Sequence, residues 1–333
     1  MSEAVVAPAE QVPAGANRSV GPGRLALRRL RKNKIGIFFG ILFLIIVILC
    51  LLAPVYASHV AHQGPLDGTI TGTVYGKDIV NQYSTGIGPT WHSRYLLGAD
   101  SLGRDVAVRL LYGGRNSLEI GALATIITIV GATILGVCAG FFRGWVDTII
   151  SRILDIIWAY PALLLAIALG VSLAVTGVNI GPWHIAGTSN LVPSAIIGVV
   201  YIPYVARPIR GEVLTLRERE YVDAARILGY NRFSIIVREI LPNLFSTLLV
   251  FVALQLAQSI ILEASLSFLG AGVQPPNPSW GTMLADGSSQ IEVAPHLVLV
   301  PGIMLVVAVV SVNVFGDALR QAFDPRARIR VER

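Results

Sequence analysis

Charge is scarce in this sequence. Asp, Glu, Lys and Arg make up 14% of its 333 residues, while 54% are hydrophobic and the mean hydropathy is +0.67. A soluble body of this length needs far more polar surface, and several runs reach the roughly 20 apolar residues that cross a bilayer. The chain reads as a polytopic membrane protein. Cysteine is nearly missing too. Cys50 and Cys138 lie in separate apolar runs without metal-ligand spacing, and they read as small packing residues. Catalytic signatures are also lacking. No glycine-rich phosphate loop occurs, because Gly76-Lys77 lacks both the spacing and the following Ser or Thr. No zincin, nucleophile-elbow or paired-carboxylate pattern is present. The chain is expected to have no catalytic residue, no metal and no ATPase site of its own.

What is present is a series of apolar runs. Residues 1–34 read as a basic tail, without periodicity up to residue 23. The run 35–57 follows. Val55-Tyr56-Ala57 resembles a cleavage site, but the run exceeds the usual signal core of about 7–15 residues, so an uncleaved first transmembrane helix is expected. Residues 58–115 are polar and read as an extracytoplasmic loop region with an amphipathic piece near Val106 to Tyr112. Five further spans are expected within 116–318, at about 118–141, 153–176, 191–206, 244–269 and 295–315, with a loop at 143–152 and a tail at 319–333. Gly136 and Gly140 have the spacing that lets membrane helices approach closely. Trp280, after a proline-broken turn, reads as an interfacial anchor.

The basic residues give the orientation. Lysine occurs only at 32, 34 and 77, so nearly all of the 26 are Arg. Seven lie in the N-terminal tail, two in 143–152, seven in 207–242 and five in the C-terminal tail. With six spans these regions share one side and hold 21 of the 26. Loops 177–190 and 270–294 have none. The positive-inside rule then places both termini in the cytoplasm. Basic charge at the ends of apolar spans reads as orientation and not as nucleic-acid binding.

One charged stretch interrupts the later spans, from Arg217 to Asn243. Tyr221, Ala224, Ala225 and Leu228 recur at helical spacing, with Arg217, Glu218, Arg219, Asp223 and Arg226 mostly covering the other side. Gly229 follows, where helices often end in a left-handed residue, and Asn231 can cap a second short helix ending near Leu241 and Pro242. A helix lying on lipid would favour a wholly basic polar face. Here Glu218, Glu220 and Asp223 are interleaved with Arg, and a narrow Ala-Ala face suits a close-fitting protein groove better than lipid.

Asp223-Ala224-Ala225, Gly229 and Leu241-Pro242 resemble the EAA loop of ABC-importer permeases, with Asp223 in place of the usual Glu and Glu239 where the pattern has Ile. The segments 97–118, 155–167 and 262–284 are similar to the C-type subunit of dipeptide and oligopeptide permeases, and the resemblance spans roughly residues 24–325. It implies an all-α type I importer permease fold with six transmembrane helices. It implies a coupling loop at 211–242 in which Glu220, Tyr221, Asp223, Ala224, Ala225, Leu228, Gly229 and Pro242 contact a cytoplasmic ATPase. It also implies partners: a second, related permease subunit, two ATPase subunits that bind the ATP and Mg, an extracytoplasmic substrate-binding protein and a peptide substrate, in a bacterial cell membrane. Nickel or another small solute is the alternative cargo. Arg104 and Asp105 could pair locally or contact the binding protein. Glu263, near the outer end of the fifth span, could line the translocation path or bond to a neighbouring helix. Asp155 and Asp317 could pair with Arg152 and Arg320. A stand-alone channel or ion-coupled carrier would need mid-membrane charges or paired broken helices, and few such charges occur.

Overall fold

The computed structural model describes residues 28–323. Helix α1 (Lys34–Leu51) opens on Asn33, whose side chain accepts from the Gly36 N–H at 2.9 Å. After a short helical turn, residues 62–105 form an irregular region with one small antiparallel hairpin, β1 (Thr73–Val74) and β2 (Lys77–Asp78). Helix α2 (Val106–Phe142) follows, then α3 (Gly144–Trp158) and α4 (Ala162–Thr176). A second hairpin, β3 (Val178–Ile180) with β4 (Trp183–Ile185), leads to α5 (Leu191–Leu216). The remaining helices are α6 (Glu220–Ile227), α7 (Arg232–Ile235), α8 (Leu241–Phe268), α9 (Trp280–Ser288) and α10 (His296–Phe323).

Among the described residues, five helices are long and apolar enough to cross a membrane: α1, α2, α5, α10 and the continuous helix from α7 into α8. The pair α3 and α4 passes the same test only when taken together, and it is bent by 83° at the break, the geometry of a broken span or of a re-entrant loop. The expected single helix at 153–176 is therefore corrected. Pro161 sits at the break, where it supplies no N–H and pushes the preceding residue away from helical geometry. The expected loop at 143–152 is corrected as well, because all but its first residue is helical in α3. Tertiary charge pairing holds α3 in place. Arg210 of α5 donates from Nε and Nη2 to the Asp147 carboxylate at 2.5 and 2.6 Å. Arg207 donates to Asp155 at 2.7 Å and lies 3.8 Å over the Trp158 ring. Asp155 thus pairs chiefly with Arg207, with Arg152 at 3.9 Å, and no Asp317–Arg320 pair forms among the described residues.

Helices α2 and α5 run parallel at the centre. A Cβ on Gly131 would meet Ile202, one on Gly136 would meet the Ala206 carbonyl oxygen at 2.8 Å, and one on Gly140 would meet Val213 at 2.8 Å and the Arg210 carbonyl at 2.9 Å. The small residues read from the sequence are thus the contact surface for α5. Gly136→Leu is expected to cost about 1–3 kcal/mol through overpacking, read as a lowered unfolding midpoint of the purified chain in detergent.

Helix α8 crosses back, with Gly121 against Ile260, and α10 pairs antiparallel with α1 through Gly36 against Ala318 and Gly40 against Phe315. The bundle therefore has two distinct ends. One holds the start of α1, the end of α2, the α5–α8 connection and the end of α10. The other holds residues 62–105, α9 and the start of α10. Trp280 belongs to the interior of this second end and is not an interfacial anchor. It is fully buried, its indole donates to the Leu110 carbonyl at 3.1 Å, and its backbone N–H donates to Ser117 at 3.2 Å. Gly114 makes room for the ring, since a Cβ there would lie 2.7 Å from it.

A candidate docking unit at one end of the bundle

The connection from α5 to α8 is a helix, a glycine turn and a second helical segment. Glu220 and Asp223 occupy the first turn of α6 and Arg226 the last, which complements the helix dipole at both ends. Arg226 also pairs with Asp223 at 2.8 Å. The helix stops at Gly229, whose φ of +80° is open to glycine and strained for other residues. The Gly229 N–H returns to Arg226 O and the Tyr230 N–H to Ala225 O, so the last carbonyls are satisfied. Asn231 then caps α7 by accepting from the Ser234 N–H at 2.7 Å.

The expected end of this second segment is corrected. It does not stop near Leu241. A π turn over Ile236–Ile240 carries it directly into α8, where Pro242 lies in the first turn and needs no N–H partner.

The unit is fixed to the bundle by both apolar and polar contacts. Val222 and Ala225 turn inward to join Phe141, Leu154, Val213, Ile235 and Ile240 in one buried cluster. Arg217 donates to the Phe141 carbonyl at 2.5 Å, Glu218 pairs with Arg143, and Thr247 donates to Glu212 at 3.0 Å. The face read from periodicity is thereby split. Ala225 faces the protein, whereas Tyr221, Ala224 and Leu228 are on the outside with Glu220, Asp223, Gly229 and Pro242. Ile227 and Phe233 join them, and Ile227, Leu228 and Phe233 are 87, 72 and 73% exposed. Burial pushes the Tyr221 hydroxyl above its ordinary pKa, opposed by Arg219 and reinforced by Glu239. The sequence reading missed Ile227 and Phe233. Their signal was two large apolar residues flanking Gly229 within a charged stretch.

The remaining sequence-selected residues lie at the opposite end. Arg104 and Asp105 do not pair with each other. Arg104 donates to Asp100 at 2.6 Å. Asp105 is fully buried and caps α2, accepting from Ala107 N at 2.8 Å and Val108 N at 3.2 Å, while its other oxygen accepts from Tyr95 N at 2.7 Å. Burial pushes its carboxyl above the usual range, opposed by those three N–H groups and Arg94. Arg109, which the sequence reading passed over, is buried at the centre of this region. It reaches Asp286 at 3.3 Å, the Pro65 carbonyl at 3.3 Å and Asp100 at 3.5 Å. Its signal was a lone cation inside the apolar run Val106–Leu111. Glu263 is enclosed within this chain and accepts from Ser267 at 2.7 Å, with Ser117 and Ser279 alongside and its second oxygen unpartnered.

Residues 132–329 match the family model described as binding-protein-dependent transport system inner membrane component, and residues 21–67 match the N-terminal TM domain of oligopeptide transport permease C. The chain is 40% identical to a glutathione transport system permease protein of Pectobacterium atrosepticum, over 71% of this chain and 74% of the relative. It is 34% identical to a dipeptide transport system permease protein of Alkalihalophilus pseudofirmus, over 93% of this chain and 92% of the relative. A solved structure of the MetNI methionine ABC transporter in inward-facing conformations shares the fold, with a TM-score of 0.52 and 17% identity over 65% of this chain and 96% of that one.

Proposed function

This chain belongs to the family of inner membrane components of binding-protein-dependent transport systems, and from that membership we propose that it moves short peptides inward as one of two related permease subunits. The family works with separate ATPases and a binding protein. The observation that carries the coupling role is the rigid α6–Gly229–α7 unit, which buries Val222 and Ala225 in its own bundle and leaves Ile227, Leu228 and Phe233 uncovered. An exposed apolar cluster on a well-anchored element is what a partner protein covers.

The mechanism follows from how the unit is tied down. Two ATPase subunits bind and hydrolyse ATP with Mg, and this chain supplies neither a nucleotide site nor a catalytic side chain. A displacement of α6 by the ATPase reaches α2 through Arg217 and Arg143, and reaches α8 through the unbroken path of α7 and the π turn. Motion of these packed helices opens or closes the path shared with the second permease subunit. The charged end lies in the cytoplasm, in line with the Arg distribution. The Arg104, Arg109, Asp100 and Asp286 network lies outside, where a substrate-binding protein delivers cargo. The relatives named for dipeptide and glutathione transport support a peptide cargo over nickel.

The direct test is uptake of a labelled dipeptide into vesicles holding the full complex with ATP inside or outside. Uptake that depends on ATP and on the binding protein is expected. Uptake by this chain alone without ATP would overturn the reading. Gly229→Val forces a β-branched residue to φ +80°, a strain of about 1–3 kcal/mol. Nothing crowds a Cβ there, so the cost is conformational, and a loss of coupled uptake with normal membrane insertion is expected.

A further inference from the structure

Beside the docking unit lies a basic cavity of about 390 Å³ lined by Phe141, Phe142, Arg217, Arg226, Tyr230, Arg232 and Ile235. We propose that it binds the phosphate headgroup of an anionic phospholipid. Charge gives the first reason. Four cations stand at or beside the cavity, and only two have carboxylate partners: Arg143 with Glu218, and Arg226 with Asp223. Arg217 spends one N–H on the Phe141 carbonyl, and Arg232 has no hydrogen-bond or ion-pair partner among the described residues. Burial, followed by the neighbouring Arg143 and Arg226 cations, pushes the Arg217 guanidinium below its ordinary value, opposed by Glu218. Planar guanidinium groups recognise phosphate oxygens in pairs.

Depth gives the second reason. From Ile120 to Phe142 no residue is charged, and at 1.5 Å per residue this part of α2 is about 34 Å long. A hydrocarbon core is about 30 Å thick. Phe141 and Phe142 therefore reach the boundary between acyl chains and headgroups, and the arginines begin at the phosphate level. Trp145, 75% exposed at the start of α3 just past the break at Arg143, has the amphipathic ring favoured at this boundary. The aromatic wall of the cavity suits the glycerol and upper acyl region, while the arginines suit the phosphodiester. An acidic side chain of the ATPase is the competing occupant. The cavity, however, begins at the carbonyl of Phe141, at the end of the uncharged stretch of α2.

The complete transporter in detergent, titrated with short-chain phosphatidylglycerol and with phosphatidylcholine of the same chains, tests this by native mass spectrometry. Phosphatidylglycerol is expected to bind at least tenfold more tightly. Arg232→Gln, which breaks no hydrogen bond or ion pair among the described residues, is expected to remove most of that preference while the ATPase subunits stay attached. Equal binding of the two lipids would overturn the proposal, as would a preference unchanged by Arg232→Gln together with Arg217→Gln. Displacement of the bound lipid by inorganic phosphate would overturn the lipid assignment. Loss of ATPase subunits from Arg232→Gln would overturn it in favour of the acidic side chain.

Discussion

Ile227→Asp combined with Leu228→Asp is expected to leave the permease folded in the membrane and to strip it of its ATPase. Both side chains are more than two-thirds exposed in this chain, so within it the change is expected to stay within about 0.5 kcal/mol. In the assembled importer each would lie in a groove. Burying an aliphatic side chain is worth about 1.5–3 kcal/mol. Losing two of them costs about 3–6 kcal/mol, and each 1.4 kcal/mol is tenfold, so affinity should fall roughly 10²- to 10⁴-fold. Two new carboxylates beside Glu220 and Asp223 add like-charge repulsion. The readouts are co-purification of the ATPase subunits and ATP-dependent uptake, both expected to vanish. Retention of normal coupling would remove the docking role from this surface. Ala225→Arg makes a useful contrast. Ala225 is 4% exposed and packs within the chain's own cluster, so that substitution should lower the stability of the isolated permease itself. A transport defect in an Ala225 variant therefore does not by itself locate the interface, whereas one in the Ile227 and Leu228 variant does.

Asp105→Ala is expected to unfold the opposite end. Three buried N–H groups, those of Tyr95, Ala107 and Val108, converge on this one carboxylate. Leaving a buried donor unpaired costs about 1–3 kcal/mol, so three of them bring the loss to about 3–9 kcal/mol. The Val106 N–H of α2 is taken by the Gly98 carbonyl at 3.0 Å, and the next two N–H groups of this 37-residue helix depend on the Asp105 carboxylate. The Tyr95 ring, itself fully buried, is held by Gln63 at 3.0 Å and the Gly103 carbonyl at 3.2 Å, so the loop region is expected to loosen with the cap. Protease cleavage within residues 62–105 of the purified complex should rise sharply. Asp105→Asn keeps one acceptor for α2 but turns an amide N–H₂ toward Tyr95 N, and an intermediate effect is expected. Unchanged protease resistance in the alanine variant would show that the cap is dispensable.

Composition and periodicity alone determined that the chain is a helical membrane protein, where its apolar runs lie, and where the charged connection with its glycine turn lies. Those signals are local: a span is a run of apolar residues, and a left-handed turn asks for Gly229. Their limits are local too. The apolar run 153–176 read as one span through Pro161, and the helical nature of 144–152 was hidden, because α3 is held by Arg207 and Arg210 from fifty to sixty residues away. Helical spacing grouped Ala225 with Leu228, yet only packing against Phe141, Val213 and Ile240 decides that Ala225 faces inward and Leu228 outward. Trp280 looked interfacial because prolines precede it, and Gly114 on a distant helix made room to bury it. Arg104 and Asp105 are neighbours in the chain with separate partners. Which side chain is covered and which left open depends on elements that meet only in the folded bundle, and that choice separates a structural alanine from the surface a partner grips.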